Sequence, residues 1–188
     1  MVVLENQAVI LVDMLNDFIS GKLKVERTLY IIPNLKRLVL AARKHNVPVI
    51  YSNDAHYPQD AEVINKWGDH AIKGTPGAEV IPELKPGEKD YQVEKRTYSG
   101  FYETGLDPLL RSLNKGEGVK TVILGGLHTH MCVRHTAADA FFRGYHIIIA
   151  KDGVEAFTPE DHEAGLKYLE NTYNAKIMTV DEIIKGFH

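Results

Sequence analysis

IIPNLKRLVLAARKHNVPVIYSND, residues 31–54, decides the fold. Its first part sets Leu35, Leu38, Val39 and Ala42 at helical spacing, and VPVIYSND (47–54) then reads at once as a strand. A helix that hands over directly to an apolar strand is part of a βαβ unit. The preceding strand lies upstream, where AVILVDM (8–14) is apolar and β-branched and stops at the polar cluster NDF. The pattern recurs downstream. Strands are expected at DYQVEKR (90–96), KTVILGG (120–126), YHIIIAKD (145–152) and AKIMTV (175–180), with helices at LDPLLRSLNK (106–115), MCVRHTAADAFFRG (131–144) and PEDHEAGLKYLENT (159–172). Right-handed crossovers then put helices on both faces of a doubly wound α/β parallel sheet of about six strands. Residues 55–89 break the pattern: they carry several Pro and Gly with little periodicity, and so long a loop in a compact domain is usually functional.

Composition narrows the function. With 188 residues the chain suits one domain, 1–188, large enough to bury a core unaided. A net charge of -3 with both signs interspersed offers no basic stripe, so nucleic acid is not an expected partner. No apolar run approaches the roughly 20 residues of a membrane span. A single cysteine excludes an intrachain disulfide, and MVVLENQ (1–7) lacks a charged segment followed by an apolar one, so a cytoplasmic location is expected.

In an open α/β sheet ligands bind beyond the carboxyl ends of the strands, so the residues there carry the functional reading. The first strand ends at Asp13, the second at Asp54 with His56 following, and the third at Lys95; the fourth runs through Gly125 and Gly126 toward Cys132. Each has an ordinary alternative: Asp13 as a turn residue, Lys95 as a solvated charge, Cys132 as a small buried hydrophobe. Their coincidence at one sheet edge favours a site. Cys132 falls in the first turn of a helix, whose dipole stabilises a thiolate, and a nearby Lys95 is expected to lower the thiol pKa further. Asp13 is then placed to take the thiol proton and return it to a leaving amine, and N–H groups from His128 to Cys132 to hold an oxyanion. A competing reading takes His130 or His135 with Cys132 as a zinc site.

LVDMLNDF (11–18), EKRTYSGF (94–101) and GGLHTHMCVRHTAADAFFRGY (125–145) resemble, in the same order, the three signatures of the isochorismatase-like cysteine hydrolases. The resemblance spans nearly the whole chain. It implies a Rossmann-like sheet, a catalytic triad of Asp13, Lys95 and Cys132, and a non-proline cis peptide between Leu127 and His128. With that peptide in place, the amides of His128 and Cys132 form the oxyanion hole. It also implies a homo-oligomer, a dimer or tetramer.

The long loop bears on substrate. NDAHY (53–57) and KWGDHAIKGTPGAEV (66–80) resemble the Asp-x-His and later His of nicotinamidases, which implies a divalent metal, zinc before iron or manganese, on Asp54, His56 and His70. Trp67 resembles the ring-stacking tryptophan of those enzymes and Phe18 its partner, with Tyr98 a third substrate contact. One departure is that YPQDAEVINK (57–66) has no further histidine, so Glu62 or water is expected to substitute. The expected function is an amidohydrolase acting on a small-molecule amide, nicotinamide first and an N-carbamoyl compound such as N-carbamoylsarcosine second. Isochorismatase proper, which acts on an enol ether, fits the metal trio less well, and a non-catalytic ligand-binding module is the alternative from another class.

Overall fold

The computed structural model describes residues 6–187; the opening residues 1–5, on which the expectation about a leader rests, lie outside the described residues. Six strands form one parallel sheet: β1 Gln7–Val12, β2 Val49–Asp54, β3 Tyr91–Lys95, β4 Thr121–Leu127, β5 His146–Glu155 and β6 Lys176–Met178. Their order is β3-β2-β1-β4-β5-β6, so the chain starts at the middle and winds out in both directions. The helices are α1 Asn16–Ile19, α2 Ile32–Lys44, α3 Leu106–Ser112, α4 Cys132–Phe142, α5 Pro159–Tyr173 and α6 Val180–Ile184. Among the described residues no helix is long and apolar enough to cross a membrane.

Side chains alternate across a strand, and β1 uses both faces. Ala8, Ile10 and Val12 pack with Leu106 and Leu110 of α3, Val133 and Ala137 of α4, and Leu166 and Leu169 of α5. Val9 and Leu11 pack on the other face with Leu35, Leu38, Val39 and Ala42 of α2 and with Val180 and Ile183 of α6. Each fully buried Leu, Ile or Val contributes about 1.5–3 kcal/mol, which is why β1 reads as an unbroken apolar run rather than an alternating one.

Three elements differ from expectation. β5 continues three residues past Asp152 to Glu155, across a register shift against β4 between Leu124 and Gly126. The last strand is shorter than 175–180, because Thr179 caps α6: its hydroxyl accepts from the Glu182 amide while Glu182 accepts from the Thr179 amide. The helix expected over 106–115 ends at Ser112, where Leu113 turns extended. The 55–89 segment holds short helical pieces, Val63–Trp67, Pro76–Ala78 and Pro82–Leu84, and isolated bridges tie it down, His56 to Ile72 and Leu15 to Val80.

Candidate active site

The carboxyl ends of β1 to β4 converge. Asp13 follows β1 in a left-handed turn, φ 54°, a conformation that Asp tolerates better than most residues. Asp54 and Lys95 are register partners across β2 and β3, which puts their side chains side by side. The Lys95 ammonium lies 2.8 Å from Asp13 Oδ2 and 2.5 Å from Asp54 Oδ1, and all three residues are at least 98 % buried. Gly126 pairs with Val12, and a Cβ there would fall 2.0 Å from the Val12 carbonyl oxygen, so only glycine lets β4 close on β1. Beyond it the Leu127–His128 peptide is cis, and the turn delivers Cys132 to the start of α4. Thr129 braces this turn: its amide donates to the Glu155 carbonyl at 2.9 Å, and its hydroxyl lies 3.0 Å from His162 Nδ1. Donor atoms of Asp13, Asp54 and Cys132 come within 4.8 Å of one another.

Electrostatics correct one expectation. Burial pushes the Cys132 thiol well above its ordinary pKa, and although Lys95 pulls it down, Asp13 and Asp54 push it up. The net direction is upward, against the preformed thiolate expected from sequence, because desolvation at this depth outweighs the pull of the Lys95 ammonium. Asp13 is raised to about 6 by burial and by the Asp54 charge, against the pull of Lys95. A base in that range can both take and return a proton near neutral pH. Burial opposes the Lys95 charge too, but the carboxylates of Asp13 and Asp54 hold its pKa well above the usual lysine value.

Asp54 belongs to a second cluster with His56 and His70, all buried, with ligand atoms within 4.8 Å of one another. Each histidine is oriented through its far nitrogen. His56 Nδ1 lies 3.3 Å from Asp60 Oδ2, and His70 Nδ1 donates to the Gly68 carbonyl at 2.8 Å. The Nε2 of His56 is buried, 3.5 Å from Asp54 Oδ2, without a hydrogen bond. An orphaned imidazole nitrogen, a carboxylate and a second histidine fixed by outer hydrogen bonds fit a divalent metal. Glu62 stands outside this cluster, accepting from the Thr97 hydroxyl at 2.6 Å, and lines the cavity beside it. His130 and His135 join no ligand cluster around Cys132 among the described residues, which removes the competing zinc reading; His135 Nδ1 donates instead to the Met131 carbonyl at 2.8 Å.

Phe18, Trp67 and Tyr98 line one cavity with Asp13, Asp54 and Cys132, and the Trp67 indole donates to the Tyr98 hydroxyl at 3.2 Å. Free space between the walls is about 20 Å³, room for about one water, so a ring-sized ligand must part them. Sequence reasoning missed three participants. Asp60 orients His56 and is itself held by two hydrogen bonds from Arg96, one of 3.0 Å from Nε. Phe157, just past the unforeseen end of β5, packs at a tilt between Trp67 and His128, with ring centroids 5.8 and 4.3 Å away. Asp60 follows His56 by one helical turn, a signal that was available; Phe157 had none.

Residues 7–182 match the isochorismatase domain. The chain belongs to the isochorismatase family. Family members are hydrolases, and relatives act on small amides. N-carbamoylsarcosine amidase from Thermoplasma acidophilum is 41% identical, with a TM-score of 0.86 over 94% of this chain and 97% of that one. The pyrazinamidase of Pyrococcus horikoshii, solved in complex with zinc, is 31% identical, with a TM-score of 0.83 over 93% and 99%. Nicotinamidase 3 of Arabidopsis thaliana is 33% identical over 86% of this chain and 79% of its own. As an isochorismatase-family chain, this protein thus shares the six-stranded fold of amidases that differ in substrate.

Proposed function

We propose that this isochorismatase-family hydrolase cleaves a small amide through an acyl-thioester, with nicotinamide as the first substrate, yielding nicotinate and ammonia. The observation that carries the reading is the sharing of Asp54: one carboxylate joins the Asp13, Lys95 and Cys132 group to the Asp54, His56 and His70 group beside an aromatic slot.

Asp13 takes the thiol proton as Cys132 Sγ bonds to the amide carbon, and the backbone amides of His128 and Cys132 face the oxygen that becomes negative. Collapse of the tetrahedral adduct breaks the C–N bond, and Asp13 gives its proton to the departing ammonia. Asp13 then takes a proton from water, whose oxygen attacks the thioester, and the carboxylic acid leaves as the thiol re-forms with that proton. Lys95 holds both carboxylates in place and keeps the Asp13 charge tolerable at full burial. Asp54, His56 and His70 would hold a divalent metal, zinc before iron or manganese, which would supply a Lewis-acid contact for orienting the substrate. Phe18 and Trp67 flank the ring, and Tyr98 fixes Trp67.

A second reading, hydrolysis of an N-carbamoyl compound, is favoured by the 41% identity to an N-carbamoylsarcosine amidase. Ammonia release from nicotinamide and from N-carbamoylsarcosine at matched enzyme concentration separates the two, and absence of nicotinamide turnover rejects the first. A non-catalytic role requires that Cys132→Ala change no measurable activity. We place the enzyme in the cytoplasm as one domain, 1–188, assembled into a dimer or tetramer; sedimentation of the purified chain as a monomer would reject the assembly.

A further inference from the structure

The imidazole of His128 is a polar group that the fold itself leaves unused. His128 is 4% exposed, and its ring lies against Phe157, with centroids 4.3 Å apart, and edge-on to Phe18 at 6.1 Å. It lines the same cavity as Cys132. Neither ring nitrogen has a hydrogen-bond partner; the Glu155 carbonyl approaches the ring without hydrogen-bond geometry. Burial, with His130 alongside, holds its pKa down to about 3, so the ring is neutral and carries one N–H and one lone pair. A buried, unsatisfied polar group weakens a fold, and between two phenyl rings an apolar side chain of similar size would pack at least as well. Nor does the backbone amide at 128 require this side chain, since every residue except proline has one.

The surrounding wall says what the ring would meet. The Trp67 N–H is engaged by Tyr98, and the Lys95 ammonium is held between Asp13 and Asp54. Asp13, Asp54 and Glu62 add carboxylate acceptors to the same lining. The His128 N–H is a donor left over in an acceptor-rich wall, and an acceptor on the ligand complements it.

We propose that the His128 side chain donates a hydrogen bond to an acceptor that the substrate carries beyond its scissile amide, a heteroaryl nitrogen or a carboxylate, and thereby sets substrate choice. The inference rests on the reading of this cavity as the binding site of a small amide. It makes His128 a specificity-determining contact as well as an oxyanion donor.

The test is calorimetric binding of benzamide, pyrazinamide and N-carbamoylsarcosine to Cys132→Ala enzyme, with His128 intact or changed to Leu or Gln. His128→Leu is expected to weaken pyrazinamide or N-carbamoylsarcosine about tenfold, the worth of one neutral hydrogen bond, while benzamide binds as before. Whichever ligand loses affinity distinguishes the heteroaryl nitrogen from the carboxylate. His128→Gln, which keeps a donor, should recover part of the loss, and ligand-free His128→Leu should melt at a higher temperature than its parent. Parallel loss for benzamide, no loss for any ligand, or no binding of the three to the parent overturns the inference. Should His128→Leu not fold, His128→Ala gives the same comparison. Discrimination in binding without ammonia release by the wild-type enzyme sinks the amidase reading and leaves the contact standing.

Discussion

Asp13 and Asp54 are joined twice: the Asp54 amide donates to Asp13 Oδ1 at 2.7 Å, and the two carboxylates share the Lys95 ammonium. The charge of one therefore acts on the titration of the other. Asp13 must be ionised to accept the thiol proton, and burial and Asp54 raise it to about 6, so kcat/KM should fall as pH drops through that value. In chelator-treated enzyme Asp54→Asn removes one cause of the rise and should move this acidic limb to lower pH. A pH–rate profile of both proteins decides it, and a limb that stays or moves upward counts against the assignment of Asp13 as base.

Asp13→Asn and Cys132→Ala should each lower kcat by roughly 10⁴-fold or more, and the double variant should be no worse than the poorer single one, because residues passing one proton act as a unit. Steady-state kinetics of the three variants measures this. Multiplicative losses would show that the two side chains act independently.

Loss of His56 should abolish stoichiometric metal binding, whereas Cys132→Ala should retain it. Asp60→Asn, which removes the partner of His56 Nδ1, should weaken the metal about 10–100-fold. Metal analysis after gel filtration reads all three. If the ion serves to orient the substrate, chelation raises KM more than it lowers kcat, and an unchanged KM would contradict that division of labour.

The sheet and the meeting of Asp13, Lys95 and Cys132 were legible because each depends on local pattern: β-branched runs set the strands, and each strand ends at a reactive side chain. The same was true of Asp54, His56 and His70, each in a short stretch of the loop or strand end. What escaped depends on distance in the chain or on depth. Arg96 reaches Asp60 across 36 residues, and Phe157 enters the cavity only because β5 runs on past Asp152. The thiol was misjudged for a related reason: a helix start and a lysine are visible in sequence, but the burial of Cys132 that outweighs them is not. Thr179 and Glu182, by contrast, spelled a capping box that should have ended the last strand early.

Gly125 and Gly126 should differ sharply in tolerance. At Gly126, φ 105° and a Cβ 2.0 Å from the Val12 carbonyl oxygen combine backbone strain with overpacking, so Gly126→Ala should cost about 2–5 kcal/mol. A Cβ at Gly125 meets the tip of the Leu35 side chain at 2.6 Å, which can shift, so Gly125→Ala should cost about 1–3 kcal/mol. Urea unfolding of both variants checks the order, and equal costs would deny Gly126 its special role.

The parallel sheet has a practical corollary for anyone wishing to attach something to this enzyme. All the chemistry gathers at one rim, so the connections entering the strands lie at the other. The turn Asn114–Gly116 ahead of β4, exposed at Lys115 and Gly116, leads toward a strand of seven residues, about 23 Å long, before the chain reaches the Leu127–His128 peptide. A fluorophore, an affinity handle or a whole fused protein inserted there would ride on the far side of the molecule, leaving the mouth of the cavity free.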